Sequence, residues 1–504
     1  MVKGTFLLLS GLLAFAATSA RADAIDYAER AGLSRQLSGI ASRAAMPLAR
    51  MESLSPFLTE RLAGIRPSEP IAKGRAEVGK TTTSATLNKI RVDFMTTQLT
   101  PQRAEFNAHL DEALPPNAVA LFIRGGPISL RQLAEKARAD FPGALEMNGS
   151  TYTAHWPIIV WSDAALTLDA GDRLNLSTEE GVFMLNNGLL SVSGATIASH
   201  GARNSGRADF RPFIVTAMIG AMQATKARFS DLGFPGADAT SGIAIIGAAL
   251  FPAKLHTYFI DSDFSNVGSL NLLNTRDVLV SGNRFAEPIG PAVGLKGVSH
   301  ARIVSNIVTG ARETQGISLE SGTSNVEIAN NVVLGNRGIG IFLANGVRSI
   351  QVSKNLVAGN GRGGISLVGG TCVDITGNVV VENKQAGIKV RNSDAVMVST
   401  NQLIGNAGAG VSVVEQAATA RLTIDGNAFI TNRSGVYGGA ASAVALYRND
   451  FSGQSPILLD GEFAADVPRL LRTAAGQTDT AARTPLIFHA TDQSSVRNDC
   501  QSGS

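Results

Sequence analysis

The chain has 504 residues, a formal net charge of +3, 53 glycines, two cysteines and 6% aromatic residues. A near-neutral charge over this length leaves no electrostatic footprint for nucleic acid, so no nucleic-acid partner is expected. Two cysteines exclude a disulfide scaffold, and the glycine content suits a chain that turns every few residues.

Residues 1–22 read as a signal peptide. Lys3 supplies the positive start and FLLLSGLLAFAA the apolar run. Small residues then offer cleavage after Ala20, Ala22 or Ala24. The run is too short to span a bilayer, and no later segment reaches about 18 apolar residues. The expectation is export and a mature chain that is not membrane-spanning. Residues 23–90 form a partly helical N-terminal region that ends in a linker. Residues 91–155 read as a small α/β cap. AVALFIRGG is a strand, and Ser129 with Gln132 has the spacing of a capping box before a helix. A solenoid needs its first open rung covered, which gives such a cap its role.

From Trp156 to about residue 465 strands follow one another, and within this stretch the sequence repeats. Asn283, Asn306, Asn331, Asn355, Asn378, Asn401 and Asn427 recur at steps of 23, 25, 24, 23, 23 and 26 residues. A second series, Asn336, Asn360, Asn383, Asn406 and Asn432, follows five positions behind. Self-similarity at one period is the signature of a repeat architecture. About 24 residues is too short for a βαβ unit, which needs roughly 30. The runs between turns are Ile/Val-rich and alternate, as in SIQVSKNLV, so they read as strands. A leucine-rich repeat has an overlapping period, but its leucine positions here carry Ile, Val, Gly or Ala. The predicted fold is all-β: a right-handed parallel β-helix with each coil about 4.8 Å above the last. Like residues then stack, and stacked asparagines can hydrogen-bond along the axis. Residues 466–504 are polar and expected to be disordered. Cys372 reads as a core-facing strand residue and Cys500 lies in the tail, and their spacing leaves open whether they pair.

Other polar groups carry weaker signals. His109, His155, His200, His256, His300 and His489 show no i,i+4 pair, so neither a metal site nor a cofactor is expected. Asp261 and Asp263 in FIDSDF fall on one face of a strand. They fit a calcium site or a glycosidase pair, but also ordinary turn aspartates.

The segments RADFRPFIV (207–215), GLLSVSGATI and QAGIKVRNSDAVMVSTNQLIGNAGAGVSVV (385–414), with the Asn-Gly rungs, resemble the periplasmic mannuronan C5-epimerases. The resemblance covers roughly residues 120–465. It implies a β-helix in the periplasm with a groove for an acidic polysaccharide, beside polymer-export proteins. C5 epimerisation removes a proton α to a carboxylate and returns one to the opposite face. It therefore needs a base, an acid and a group that neutralises the carboxylate. The family supplies its histidine in a short Asp-Pro-His motif. This chain departs there, with Gly294, Leu295 and Lys296 at the matching places and Gln315 near a further family histidine.

The candidate catalytic residues are Lys296, Glu320 and Arg391. Lysine serves as a base where burial or nearby cations favour its neutral form. Glu320 is a candidate acid or base, with a plain surface charge as the alternative. Arg391 matches a family arginine, and its planar fork suits a carboxylate. Equally, it could pair with Asp394 or Glu415. The places stacked on Arg391 are expected to be Glu320, Ala344 or Asn345, Gly369 and Glu415, forming one groove wall. Candidate substrate contacts are Arg312, Gln315, Asn345 and Glu415. Two readings stay open: a C5-epimerase-like enzyme (or lyase), and a catalytically degenerate scaffold that holds nascent polymer. An adhesin or secreted passenger is disfavoured, because no translocator-like strand series follows Asp460.

Overall fold

The computed structural model describes residues 85–92, 110–247, 255–441, 444–475, 486–488 and 500. The expected signal peptide and almost all of the N-terminal region lie outside these residues.

The described chain is a right-handed parallel β-helix, as the repeat predicts. Its strands fall into three long sheets of 15, 14 and 14 strands, and each coil gives one strand to each sheet. Strands of three to six residues are set by the spacing of turns. Turns use left-handed backbone, for example Gly282 (φ 67°), Asn392 (φ 45°) and Glu415 (φ 52°). Glycine and asparagine tolerate this region at low cost. Alternation points every second side chain inward. Val293, Ile317, Ile341, Ile365, Ile388 and Val411 lie in register on successive rungs of the first sheet and are fully buried.

Both asparagine series form ladders inside the corners. The Asn378 Nδ2 donates to Asn401 Oδ1 (2.9 Å) and to the Val352 carbonyl (2.9 Å). Its Oδ1 accepts from the Asn355 backbone N–H and Nδ2, both at 2.9 Å. The second ladder repeats the pattern from Asn336 to Asn432, where Gln454 takes over. Each buried amide is thereby satisfied, which a buried polar group requires. Phenylalanines stack in the same way, with Phe264 and Phe285 centroids 4.5 Å apart.

At the N-terminal end, Thr86–Arg91 pairs antiparallel with Val119–Arg124. The capping box is formed: the Gln132 N–H donates to Ser129 Oγ (3.3 Å) and the Ser129 N–H to Gln132 Oε1 (3.1 Å). It starts the helix Leu130–Asp140, whose Leu130, Leu133, Ala134 and Ala137 pack on the core. Parallel pairing already begins where Val119–Arg124 meets Ile158–Val160. The solenoid thus starts one coil before Trp156, and strands read as cap belong to its first rung.

Three local expectations change. Val467–Ala475 is a helix and Leu486–Phe488 a strand antiparallel to Val444–Tyr447, both in the segment read as a disordered tail. Cys372 and Cys500 form a disulfide, with Cα atoms 5.6 Å apart. Cys372 (φ 55°) is half-buried in a left-handed turn position at the start of Thr371–Thr376, not core-facing. Finally, Asp261 (φ 49°) is a corner residue between Tyr258–Ile260 and Asp263–Ser265. Asp261 thus lies in the corner and Asp263 in the strand after it, so the two do not share one strand face.

Candidate functional site

The outer face of the first sheet carries one column of side chains along the whole solenoid. Asn271, Gly294, Ser318, Phe342, Ser366, Lys389, Ser412, Tyr437 and Asp460 occupy the same register position on nine successive rungs. They floor a groove parallel to the solenoid axis. The groove holds two clefts that meet at Phe342.

The cleft nearer the N-terminal end has a volume of ≈ 610 Å³. Lys296 stands in it between two carboxylates: its Nζ is 3.6 Å from Asp238 Oδ2 and 3.6 Å from Glu320 Oε2. All three side chains are about half exposed, so their charges face solvent. The loop carrying Asp238 is held from the floor. Asn271 Nδ2 donates to the Asp238 carbonyl (2.7 Å) and to Ser241 Oγ (2.8 Å). Gln315 and Thr314 line the same cleft, and the buried Thr314 Oγ1 has no hydrogen-bond partner among the described residues. Arg211 lines it too. The buried Phe210 and Phe213 set its place in the chain, and its Nε donates to the Asp231 carbonyl (3.0 Å). Burial lowers the Arg211 pKa from its ordinary value; Asp231 opposes this and Arg312 adds to it.

The second cleft, of ≈ 770 Å³, is lined by Arg362, Lys384, Lys389 and Arg433 against one carboxylate, Asp460. Tyr437 and Phe342 add aromatic surface. Four cations converging on one concave surface attract a polyanion, because field lines concentrate in a cleft.

Of the residues singled out from the sequence, Lys296, Glu320 and Gln315 come together in the first cleft. The other candidate site residues, Arg312, Asn345, Arg391 and Glu415, line neither cleft. Arg391 Nε donates to Glu415 Oε2 at 2.7 Å, an exposed pair on adjacent rungs. Arg312 pairs with Glu287 (2.8 Å), and Asn345 is an exposed turn residue. The expected column holds at Glu320 and Ala344, which follow Leu319 and Leu343 as Arg391 follows Val390, but is shifted at two places. Arg391 lies in register with Val368 and Val414, while Gly369 and Glu415 each fall one position later in left-handed turns. Sequence reasoning missed Asp238 and the distal cations. Arg211 lay within RADFRPFIV, a segment already marked by its resemblance. Among the described residues no group of three or more His, Cys, Asp or Glu is arranged to hold a metal, and no helix is long and apolar enough to cross a membrane.

Comparison with known proteins places this groove in context. A family described as periplasmic copper-binding protein (NosD) matches residues 257–455, the regular rungs. The mannuronan C5-epimerase of Pseudomonas syringae pv. tomato is 27% identical over 227 residues, 42% of this chain and 42% of the relative. That of Pseudomonas aeruginosa is 29% identical over 228 residues, 42% of this chain and 41% of the relative. The chain thus spans less than half the length of these curated relatives. In structure, it is similar to the crystal structure of the periplasmic alginate epimerase AlgG. The TM-score is 0.63 at 21% identity, over 78% of this chain and 98% of that one. The chain resembles the mannuronan C5-epimerases in sequence and shares the β-helix of the periplasmic alginate epimerase.

Proposed function

We propose that the protein is an exported polysaccharide-modifying protein that acts in the periplasm on an acidic polysaccharide of the alginate kind. The reaction is proton abstraction at C5, as in a mannuronan C5-epimerase. The observation that carries this reading is Lys296 held between Asp238 and Glu320, in a cleft continuous with one lined by four cations.

The distal cations hold uronate carboxylates and set the chain along the groove. The Lys296 ammonium faces the carboxylate of the reacting sugar. It neutralises the charge that develops when the C5 proton leaves, and such stabilisation usually contributes more to catalysis than any other single effect. Glu320 or Asp238, as the carboxylate, takes the C5 proton; the other, in its protonated carboxylic acid form, returns one to the opposite face, and exchange with solvent resets both. Gln315 supplies hydrogen bonds at the rim. If the bond to the O4 leaving group breaks before reprotonation, the same site acts as a lyase and leaves an unsaturated sugar. Polymer-export proteins are the partners this role calls for.

A second reading rests on Gly294, Leu295 and Lys296, which stand where the resemblance implies Asp-Pro-His. Here the groove binds polymer and shields it without chemistry. Incubation of the mature protein with polymannuronate in deuterated water separates the two. Deuterium at C5 with guluronate signals supports the enzyme. Binding without exchange supports the scaffold, and the absence of both rejects this substrate class.

A further inference from the structure

The outer face of the first sheet changes character at one rung. On the early coils the column of the groove floor carries the buried apolar residues Ile159, Leu185 and Val215, where the floor itself carries the polar Asn271, Ser318 and Ser366. A second apolar layer lies on them, built from Leu110, Phe183, Phe210, Phe213 and Phe234. Phe183 and Phe213 are stacked at 5.0 Å, and Phe210 and Phe234 lie 5.2 Å apart. The buried Ala244 follows Val215 in the column, and next comes Asn271, which lines the Lys296 cleft. Residues 209–211 and 233–238, which carry the edge of the layer, form the near wall of the Lys296 cleft.

The groove is therefore closed at its N-terminal end by a packed aromatic wall. From there its floor runs nine rungs to Asp460, about 38 Å at the spacing of neighbouring strands. Charge is graded along it. The cleft at the wall is lined by Arg211 and Lys296 against Asp209, Asp238, Glu313 and Glu320, an excess of two carboxylates. The distal cleft has an excess of three cations. A polyanion is drawn onto the distal part and resisted at the wall, except where Lys296 or Arg211 meets a carboxylate. Sterics and charge together disfavour a chain that continues past the wall.

We infer that the groove takes the end of an acidic polysaccharide chain. The terminal sugars sit at Lys296 beneath the aromatic wall, and the body of the chain runs over Lys389 and Arg433 and leaves past Asp460. This rests on the reading of the groove as an acidic-polysaccharide site and adds the mode of engagement: one chain end per protein, with modification starting from that end.

The test uses the full mature protein and polymannuronate chains of one, two and four groove lengths. Stoichiometry is read by sedimentation velocity. One protein per chain at every length is the expected result. A number of bound proteins that rises with chain length overturns end binding while leaving the polysaccharide reading intact. No binding to any chain overturns both. A bulky fluorophore attached to one end or the other gives an independent check. Loss of at least tenfold in affinity from only one of the two labels is expected, and equal affinity for both overturns the inference.

Discussion

A Cβ added at Gly294 would stand 2.5 Å from the Oδ1 of Asn271 on the neighbouring rung. The Asn271 amide cannot simply swing away, since it holds the Asp238 loop through two hydrogen bonds. Gly294→Ala is therefore expected to displace Asn271 and with it Asp238. The cost should be about 1–3 kcal/mol, as for other overpacked sites, read by urea unfolding. Polymannuronate affinity should fall with it. The glycine at the motif position is thus tied to how this chain builds its wall.

Lys296→Ala and Glu320→Gln should each lower the rate of C5 deuterium exchange by about 10²–10⁴-fold, the usual contribution of a positioned proton-transfer or charge-neutralising group. Arg391→Ala should leave that rate within a few-fold of wild type, because Arg391 is engaged by Glu415 outside both clefts. Initial exchange rates by proton NMR check all three.

Lys389→Ala and Arg433→Ala should weaken polymannuronate binding several-fold at low ionic strength. The difference from wild type should shrink as salt rises, since the screening length falls from about 30 Å at 0.01 M to about 10 Å at 0.1 M. A salt series of binding isotherms shows it. Equal loss at all salt concentrations would point to shape in place of charge.

Asn378→Ala breaks a ladder whose partners are all buried. It strands the Asn355 backbone N–H and one hydrogen of its Nδ2, whose other hydrogen stays on the Ile328 carbonyl, and removes a donor from the Val352 carbonyl. Each unsatisfied buried group costs roughly 1–3 kcal/mol. The variant should therefore unfold at markedly lower urea, and an exposed Asn345→Ala control should not.

Burial pushes the Asp394 carboxyl up, but hydrogen bonds from the Arg421 side chain and backbone outweigh it and hold it below its ordinary value. The Arg421 N–H donates to its Oδ1 at 2.9 Å. A carboxyl with a depressed folded pKa contributes stability above its unfolded value, about 3.9. That contribution is lost as pH falls through the lower folded value. Melting temperature should drop more steeply across this acidic window in wild type than in Asp394→Asn.

The coils and both asparagine ladders were legible because they depend on identity at a fixed period. Every Asn in the two series stacks on the one a coil away. The capping box at Ser129 was legible because it is local. The groove wall was not. Lys296 meets Asp238, 58 positions earlier in sequence, through an irregular loop outside the repeat, and no periodicity encodes that approach. Arg391 was misplaced for a subtler reason. Arg391 stands 13 places after Asn378, as Val368 does after Asn355 and Val414 after Asn401, whereas Gly369 and Glu415 stand 14 places after theirs, in the left-handed turn that follows the strand. The disulfide joins residues 128 apart, and nothing in either local context marks the partner.

That disulfide changes how the solenoid can come apart. A stack of coils in contact only with their neighbours frays from its free end, one unit at a time. Here Leu486–Phe488 pairs with the last long strand of the second sheet, and Cys500 is bonded three strands further back, at Cys372. The segment that follows the last coil is stapled to an interior coil, so the final coils cannot peel singly. They must open as one block, and the mouth of the groove at Tyr437 and Asp460 keeps its shape for as long as that block holds.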